Sequence, residues 1–282
     1  MSRIVVTGAT GFIGRALCPV LRAAGHEIVE LDRTSLGDTA RFAGAQAVVH
    51  LAALAHSRGI EEGMLRKVNV ELPLAVGRAA AAVGARMLFM SSVKVHGEMT
   101  EGAAFNEASP LAPQDGYASA KARAEEGLRA IPGLALTVLR PPLVYGPQVK
   151  ANFLALARAL ARGWPLPLAG IENRRSLLYV GNLTDAVLRC LQHQAAGTFL
   201  VSDGAALTTT ELCRRLGEAL GRPARLFTVP RGMLELVPGA TRLTRSLEVD
   251  DGALRRELGW APPHSVDSGL QRTAEWLRAP DG

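Results

Sequence analysis

Apolar and polar positions follow two distinct rhythms along the first half of the chain. Short apolar runs, most of them rich in β-branched residues, read as buried strands: Ile4 to Val6, Ile28 to Leu31, Ala47 to Leu51, Met87 to Met90 and Leu136 to Leu139. Between them, residues 12 to 24, 68 to 83 and 117 to 130 carry helical spacing among good helix formers such as alanine, leucine and arginine. Strand and helix in alternation is the pattern of repeated βαβ units, which build a parallel sheet. One connection is short. Only eleven residues separate Asp38 from His50, too few for a full helix and an extra strand, so the sheet is expected to lack an element there or to hold it in abbreviated form.

After Arg140 the texture changes. The proline- and glycine-punctuated stretch PPLVYGP, residues 141 to 147, is followed by a helix from Phe153 to Ala161 opened by Asn152, by short helices, and by a final helix from Val266 to Leu277. The expected organisation is a first unit over residues 1–145 and a second, smaller lobe over 146–282. Ser176 to Val180 and Thr198 to Val201 are strand-like, so parts of the second segment can return to the first sheet.

Composition narrows the class. Nearly half of the 282 residues are apolar, which suffices for a large core, yet no run approaches the ~20 apolar residues that span a bilayer. The chain starts on the strand Arg3-Ile4-Val5-Val6 rather than on a secretory pattern, so export is not expected and a cytoplasmic location is. Cys18, Cys190 and Cys213 are odd in number and widely spaced, which favours buried free thiols over a disulfide framework or a zinc site. The net charge of +6 comes largely from scattered arginines, without the lysine-rich block of a nucleic-acid surface, and an anionic small substrate accounts for it.

The first candidate site is Val5-Val6-Thr7-Gly8-Ala9-Thr10-Gly11-Phe12-Ile13-Gly14. Three glycines between a strand and a helix let backbone amides and the helix N-terminus receive a pyrophosphate, and a side chain at Gly11 is expected to block that approach. Asp32 closes the next strand, where a carboxylate can bind the ribose 2′-hydroxyl of NAD and repel the phosphate of NADP. Arg33 follows at once and can instead pair with that phosphate, so NAD is expected and NADP is the alternative. Asp38 is a second acidic candidate near the adenine. Together the loop and the alternation define a Rossmann-like, doubly wound α/β fold with a smaller C-terminal substrate-binding lobe.

The second candidate site is Tyr117-Ala118-Ser119-Ala120-Lys121, where four-residue spacing puts phenol and ammonium on one helical face. A tyrosine titrating near ~10 must shift by about 3 units, or ~4 kcal/mol, to work as a base near neutrality. A lysine at ~4 Å supplies about 4 kcal/mol at an effective dielectric of about 20, so the pair needs a partly dehydrated cleft. Upstream, the strand ending in Ser91 and Ser92 offers Ser92 as a hydrogen-bond donor to the reacting oxygen.

TGATGFIG, HLAA at residues 50 to 53, SSVKVHG, YASAK and RPPLVYGP occur in the order and approximate spacing of extended short-chain dehydrogenases/reductases, over Ile4 to Pro147. Within them the chain resembles UDP-galactose 4-epimerases and, more closely, bacterial UDP-sugar epimerases and 4-ketoreductases of surface-polysaccharide synthesis. The resemblance implies Tyr117 as catalytic base and acid, Lys121 as its electrostatic partner and ribose ligand, and Ser92 as hydrogen-bonding helper. It implies a cofactor lined by Leu51, Ala52, Ala53 and Pro142, with Asn69 nearby. Asn152 and Arg175 match positions that hold the nucleotide and diphosphate of a UDP-sugar, and Arg174 reads as solvated. Lys94 is a substrate contact or an outward lysine. His96 stands where many relatives have tyrosine, as a second proton donor or a structural residue. Leu143 replaces an asparagine of some epimerases. Relatives often pair through two helices, so a homodimer through residues 68 to 83 and 117 to 130 is expected.

Three readings follow: a redox-neutral 4-epimerase, a reductase of a 4-keto sugar, and a non-catalytic dinucleotide sensor. The intact Ser92, Tyr117 and Lys121 disfavour the sensor. On the cofactor, Asp32→Ala is expected to weaken NAD and strengthen NADP, as dissociation constants for both would show; a wild type already favouring NADP would hand the pocket to Arg33.

Overall fold

The apolar runs of the first half become β1 (Arg3–Thr7), β2 (Glu27–Leu31), β3 (Ala47–His50), β4 (Arg86–Met90) and β5 (Leu136–Arg140). They are followed by β6 (Leu143–Tyr145), β7 (Leu177–Tyr179) and β8 (Gly197–Leu200) in a computed structural model that describes residues 1–31, 39–55, 61–236 and 239–279. Six strands make one sheet in the order β2-β1-β3-β4-β5-β8, and all its pairings are parallel. Successive strand residues point to opposite faces, so Val6, Val49, Leu88 and Leu139 enter one core while Val5, Val48, Met87 and Val138 enter another.

Helices cover both faces. On the first, α1 (Phe12–Ala23) packs Leu17 and Leu21 beside Leu183 and Val187 of a later helix. On the second, the chain runs as α2 (Glu62–Arg66), a π-helical turn over Lys67–Glu71 and α3 (Leu72–Ala82), then α4 (Gly116–Arg129). The helix thus starts earlier than residue 68, and Pro73, which has no amide for the ladder, stands just after its register shift. Val76, Ala80, Ala124 and Leu128 close this core.

The remaining helices are α5 (Ala151–Ala161), α6 (Val180–Gln192), α7 (Thr209–Ala219), α8 (Arg231–Glu235), α9 (Thr241–Thr244), α10 (Gly252–Leu258) and α11 (Val266–Arg278). Asn152 is not the cap of its helix as the spacing suggested; α5 begins at Ala151 with Lys150 as N-cap, so Asn152 lies in the first turn. Of the two late strand-like stretches, only β8 returns to the main sheet, beside β5. Ser176 to Val180 instead yields β7, which pairs with β6 of the PPLVYGP segment in a separate two-stranded sheet. Strand periodicity reports a face to bury and is silent about the partner. Between β2 and β3 the described residues hold only a 3-10 turn, Thr39–Phe42, whose Phe42 is fully buried; the short connection ends the sheet at β2.

A buried polar knot ties the second sheet to the first. Asp203, just beyond β8, accepts the Tyr179 amide at 2.9 Å, the Asn182 side-chain amide at 2.7 Å and the Tyr145 hydroxyl at 3.1 Å. Asn182 also donates to the carbonyl of His264, ahead of α11, at 2.8 Å. Burial pushes the Asp203 carboxyl up, and the three donors oppose that shift.

The three cysteines are buried and free, and burial pushes the Cys190 and Cys213 thiols up to about 12. Among the described residues no group of side chains could hold a metal ion, and no helix is long and apolar enough to cross a membrane.

Removing the centre of the knot strands several donors at once. Asp203→Ala is expected to cost at least ~2 kcal/mol, because each buried group left without a partner loses about 1–3 kcal/mol. Urea unfolding would show it as a lower midpoint.

Candidate active site

Parallel strands bring their C-terminal ends, and the loops that follow, to one edge of the sheet. The loop after β1 is shaped by its glycines. Gly8 has φ +73° and lies so close to the next loop that a Cβ would sit 2.7 Å from the Ala52 amide nitrogen. At Gly14 a Cβ would meet the Gly8 carbonyl oxygen at 2.4 Å. Gly11 is less confined within the fold, with that oxygen at 3.2 Å from a built Cβ. It is the N-cap of α1, has no side-chain cap, and leaves the first amides of the helix open. An open helix N-terminus with no side chain over it fits a pyrophosphate. Phe12 and Ile13 anchor the turn by packing into different cores.

The loop after β3 lies against this cradle. Leu51 donates its amide to Thr7 O at 3.1 Å, and the Ala52 amide reaches Thr7 Oγ1 at 3.4 Å. Ala53 follows, and the segment is clasped at Leu54, whose amide and carbonyl both bond the buried Asn69 side chain, at 2.9 and 3.1 Å. Asn69 comes from the π turn. His50 bonds Thr7 Oγ1 at 2.9 Å through Nδ1 and has a buried Nε2 with no partner among the described residues; burial pushes it down to about 3, so it stays neutral. Asp32, Arg33 and Asp38 lie outside the described residues.

At the end of β4, Ser92 is the N-cap of a 3-10 turn, its Oγ accepting the Lys94 amide at 3.3 Å. Facing it, α4 starts at Gly116 under the cap of Asp115, whose Oδ1 accepts the Ala118 amide at 2.7 Å. The first turn carries Tyr117 and the next Lys121, whose buried Nζ donates to Met90 O at 2.8 Å, sits 4.5 Å over the Phe89 ring and lies 5.9 Å from the Tyr117 ring centre. Burial, and then the charge of Asp115, push the Tyr117 phenol well above its ordinary value. Burial pushes Lys121 down to about 7, opposed by Glu125.

Glu125 was not anticipated. It stands one further turn down the same helical face, is fully buried, and accepts Ser91 Oγ at 2.5 Å, Arg140 at 3.0 and 2.5 Å and Arg129 at 2.9 Å. Burial alone would raise its carboxyl, but Arg140 first, with Ser91 and Arg129, holds it below the usual range. The four-residue step from Tyr117 to Lys121, extended once, was the available signal. Arg140 also contacts His96 Nε2 at 2.9 Å, and His96 Nδ1 lies 3.1 Å from Pro110 O. With both ring nitrogens occupied and the ring stacked on Phe105, His96 is a structural residue rather than a second proton donor.

The other expected residues are dispersed around this centre. The Lys94 ammonium is held by Asp115 and by Glu98, the latter at 2.6 Å. Pro142 is buried just beyond β5, next to Pro141, whose carbonyl accepts the Val93 amide at 3.0 Å. Arg174 is exposed and paired with Glu248 at 2.8 Å. Arg175 is half-buried and donates to Arg245 O at 2.9 Å; burial, and then the nearby Arg242, push its guanidinium down to about 10. Asn152 is exposed and makes no side-chain hydrogen bond among the described residues.

Comparison with known proteins agrees with this layout. Residues 4–201 match the family described as NAD dependent epimerase/dehydratase. A UDP-glucose 4-epimerase of Vibrio cholerae is 33% identical over 96% of this chain and 94% of its own length. Among solved structures, a UDP-N-acetylglucosamine 4-epimerase from Bacillus cereus has the same fold, with a TM-score of 0.84 over 99% of this chain and all of the other at 20% identity. A dTDP-glucose 4,6-dehydratase from Streptomyces venezuelae, solved with NAD, gives a TM-score of 0.80 at 25% identity over 98% and 97% of the two chains. With a parallel sheet, a glycine-lined cradle and a tyrosine–lysine helix in one chain, the protein is an enzyme of the NAD-dependent epimerase/dehydratase family.

Proposed function

We infer that the enzyme is a nucleotide-sugar 4-epimerase that inverts a UDP-hexose through a transient 4-keto sugar. The observation that carries this reading is the convergence of Ser92, Tyr117 and Lys121 at the ends of β4 and α4. The similarity to the Vibrio cholerae UDP-glucose 4-epimerase supports it. Residues 1–145 hold the dinucleotide, with Gly8, Gly11 and Gly14 at the pyrophosphate and Asp32 or Arg33 at the ribose. Residues 146–282, apart from β8, hold the nucleotide sugar, with Arg175 and Asn152 toward its diphosphate. Two protomers pair through α3 and α4.

Tyr117 Oη takes the C4 hydroxyl proton as the ketone forms and returns it on reduction, while Ser92 Oγ donates a hydrogen bond to the same oxygen. Tyr117 and Lys121 are both shifted against their charged forms, and losing the phenol proton while the ammonium keeps its own relieves both. At roughly 6 Å and an effective dielectric of about 20 that attraction is worth about 3 kcal/mol, or about 2 units for the phenol, which does not reach neutrality. The loop of Gly8, Gly11 and Gly14 would hold NAD, which would supply a hydride acceptor and donor for C4 and a positively charged ring favouring the Tyr117 phenolate.

Incubation with a UDP-hexose and NAD is expected to invert C4 without consuming reduced cofactor, and Tyr117→Phe to lower turnover at least ~100-fold with NAD affinity retained. No inversion, with stoichiometric oxidation of NADH or NADPH by a UDP-4-keto-6-deoxyhexose, would instead make the enzyme a reductase. Without ligands, Lys121 also leaves a trace in stability. Its folded value lies below that of an unfolded lysine near ~10.4, so from about pH 7 upward the unfolded chain binds a proton that the folded protein has released. Stability therefore rises with pH across that window. Measured by urea unfolding, wild type relative to Lys121→Met is expected to gain up to ~1.4 kcal/mol per pH unit.

A further inference from the structure

Lys94 follows Ser92 by two residues, and its ammonium lies between two carboxylates. Glu98, one turn on, is shared with Arg242, 3.0 Å away. Asp115 belongs to the opposite element: one oxygen caps α4 two residues before Tyr117, and the other receives Lys94. The lysine links by its side chain the turn that presents Ser92 to the start of the helix that presents Tyr117. Its charge also answers a specific problem, because Asp115 is the carboxylate whose field opposes ionisation of the phenol.

We propose that Lys94 is a positioning residue for proton transfer: it ties Asp115 to the Ser92 turn, keeps Ser92 and Tyr117 in register, and cancels the Asp115 charge beside the phenol. The inference rests on Tyr117 being the base. It assigns Lys94 to the protein's own carboxylates rather than to the diphosphate of the substrate. Other charges near Tyr117 are differently placed. Lys121 shares its helix, with Glu125 beneath it and Arg140 behind that, and neutral His50 comes from β3. Arg66, Lys67 and Glu71 of the helical segment packed across α4 are exposed, as is Arg78 of α3.

The test follows Tyr117 by tyrosinate absorbance in the NAD-saturated full chain from pH 6 to 11, subtracting the Tyr117→Phe protein to remove Tyr145 and Tyr179. Lys94→Met is expected to raise the midpoint by about 1 unit, the usual effect of exposing a like charge nearby. Lys94→Arg should stay close to wild type. Asp115→Asn keeps a good helix cap without the charge, so Lys94→Met/Asp115→Asn should return the midpoint to near the wild-type value, a rescue that general loosening of the fold would not produce. UDP affinity by calorimetry should change less than twofold in Lys94→Met. An unmoved midpoint in Lys94→Met overturns the proposal, and a tenfold loss of UDP affinity with it would make Lys94 a substrate ligand. A wild type without a Tyr117 transition in this range removes the base itself, and with it both this inference and the epimerase reading.

Discussion

The carboxylate of Glu125, buried against the Arg140 guanidinium, is the interaction on which the geometry of the candidate site depends. Each group is costly to take out of water, and the arrangement holds because each finds several partners: Ser91 and Arg129 complete the carboxylate, and His96 meets the guanidinium. Ser91 follows β4 and Arg140 ends β5, Glu125 and Arg129 belong to α4, and His96 follows the 3-10 turn after β4. A movement of any one relative to the others would leave a charge buried without its counterpart, so three elements of separate origin share one register. Lys121 is one turn up from Glu125, and Tyr117 one turn beyond that. Their reach to the strand end is set from below, by groups whose bonds are made to one another.

The two-stranded sheet of β6 and β7 is attached by the same kind of chemistry. Asp203 leaves the main sheet at β8 and is bonded by β7, α6 and the hydroxyl of β6, while the surrounding core of Tyr145, Phe153, Leu160 and Leu270 is apolar. Polar bonds are directional, and a single carboxylate with three donors allows one arrangement of the two sheets where apolar packing alone would tolerate several. Arg175, borne just ahead of β7, is held separately, by backbone bridges to Leu207 and Leu247.

Much of this architecture was legible in the chain, because buried parallel strands must be apolar and β-rich, and because a glycine loop between strand and helix has few other uses. Tyr117 and Lys121 were visible through helical spacing, since i and i+4 share a face whatever the fold. Glu125 lies on that same face but reads as an exposed helical glutamate; its burial depends on Arg140 and Ser91, which are fifteen and thirty-four residues away in sequence. Lys94 was ambiguous for a like reason, since Asp115 is brought to it only by the packing of α4. The pairing of β7 with β6 depends on which edge lies nearest in space, a property of the assembled chain. Gly11 was read from its place in front of a pyrophosphate, while the tight contacts at Gly8 and Gly14 are made within the fold, with the following loop and with the glycine loop itself, and need the folded chain to be seen.

Among the described residues β2 is the margin of the sheet, with a row of backbone groups facing outward. Such a margin is a template on which another chain can add a strand, and aggregation begins that way. Here it is short, and it carries Glu27 and Glu30, both exposed and each paired with an arginine from its own protein, Arg3 and Arg22. A chain approaching this margin would have to settle beside two carboxylates and displace their partners. A sheet one strand narrower is thereby kept from lengthening itself with its neighbours.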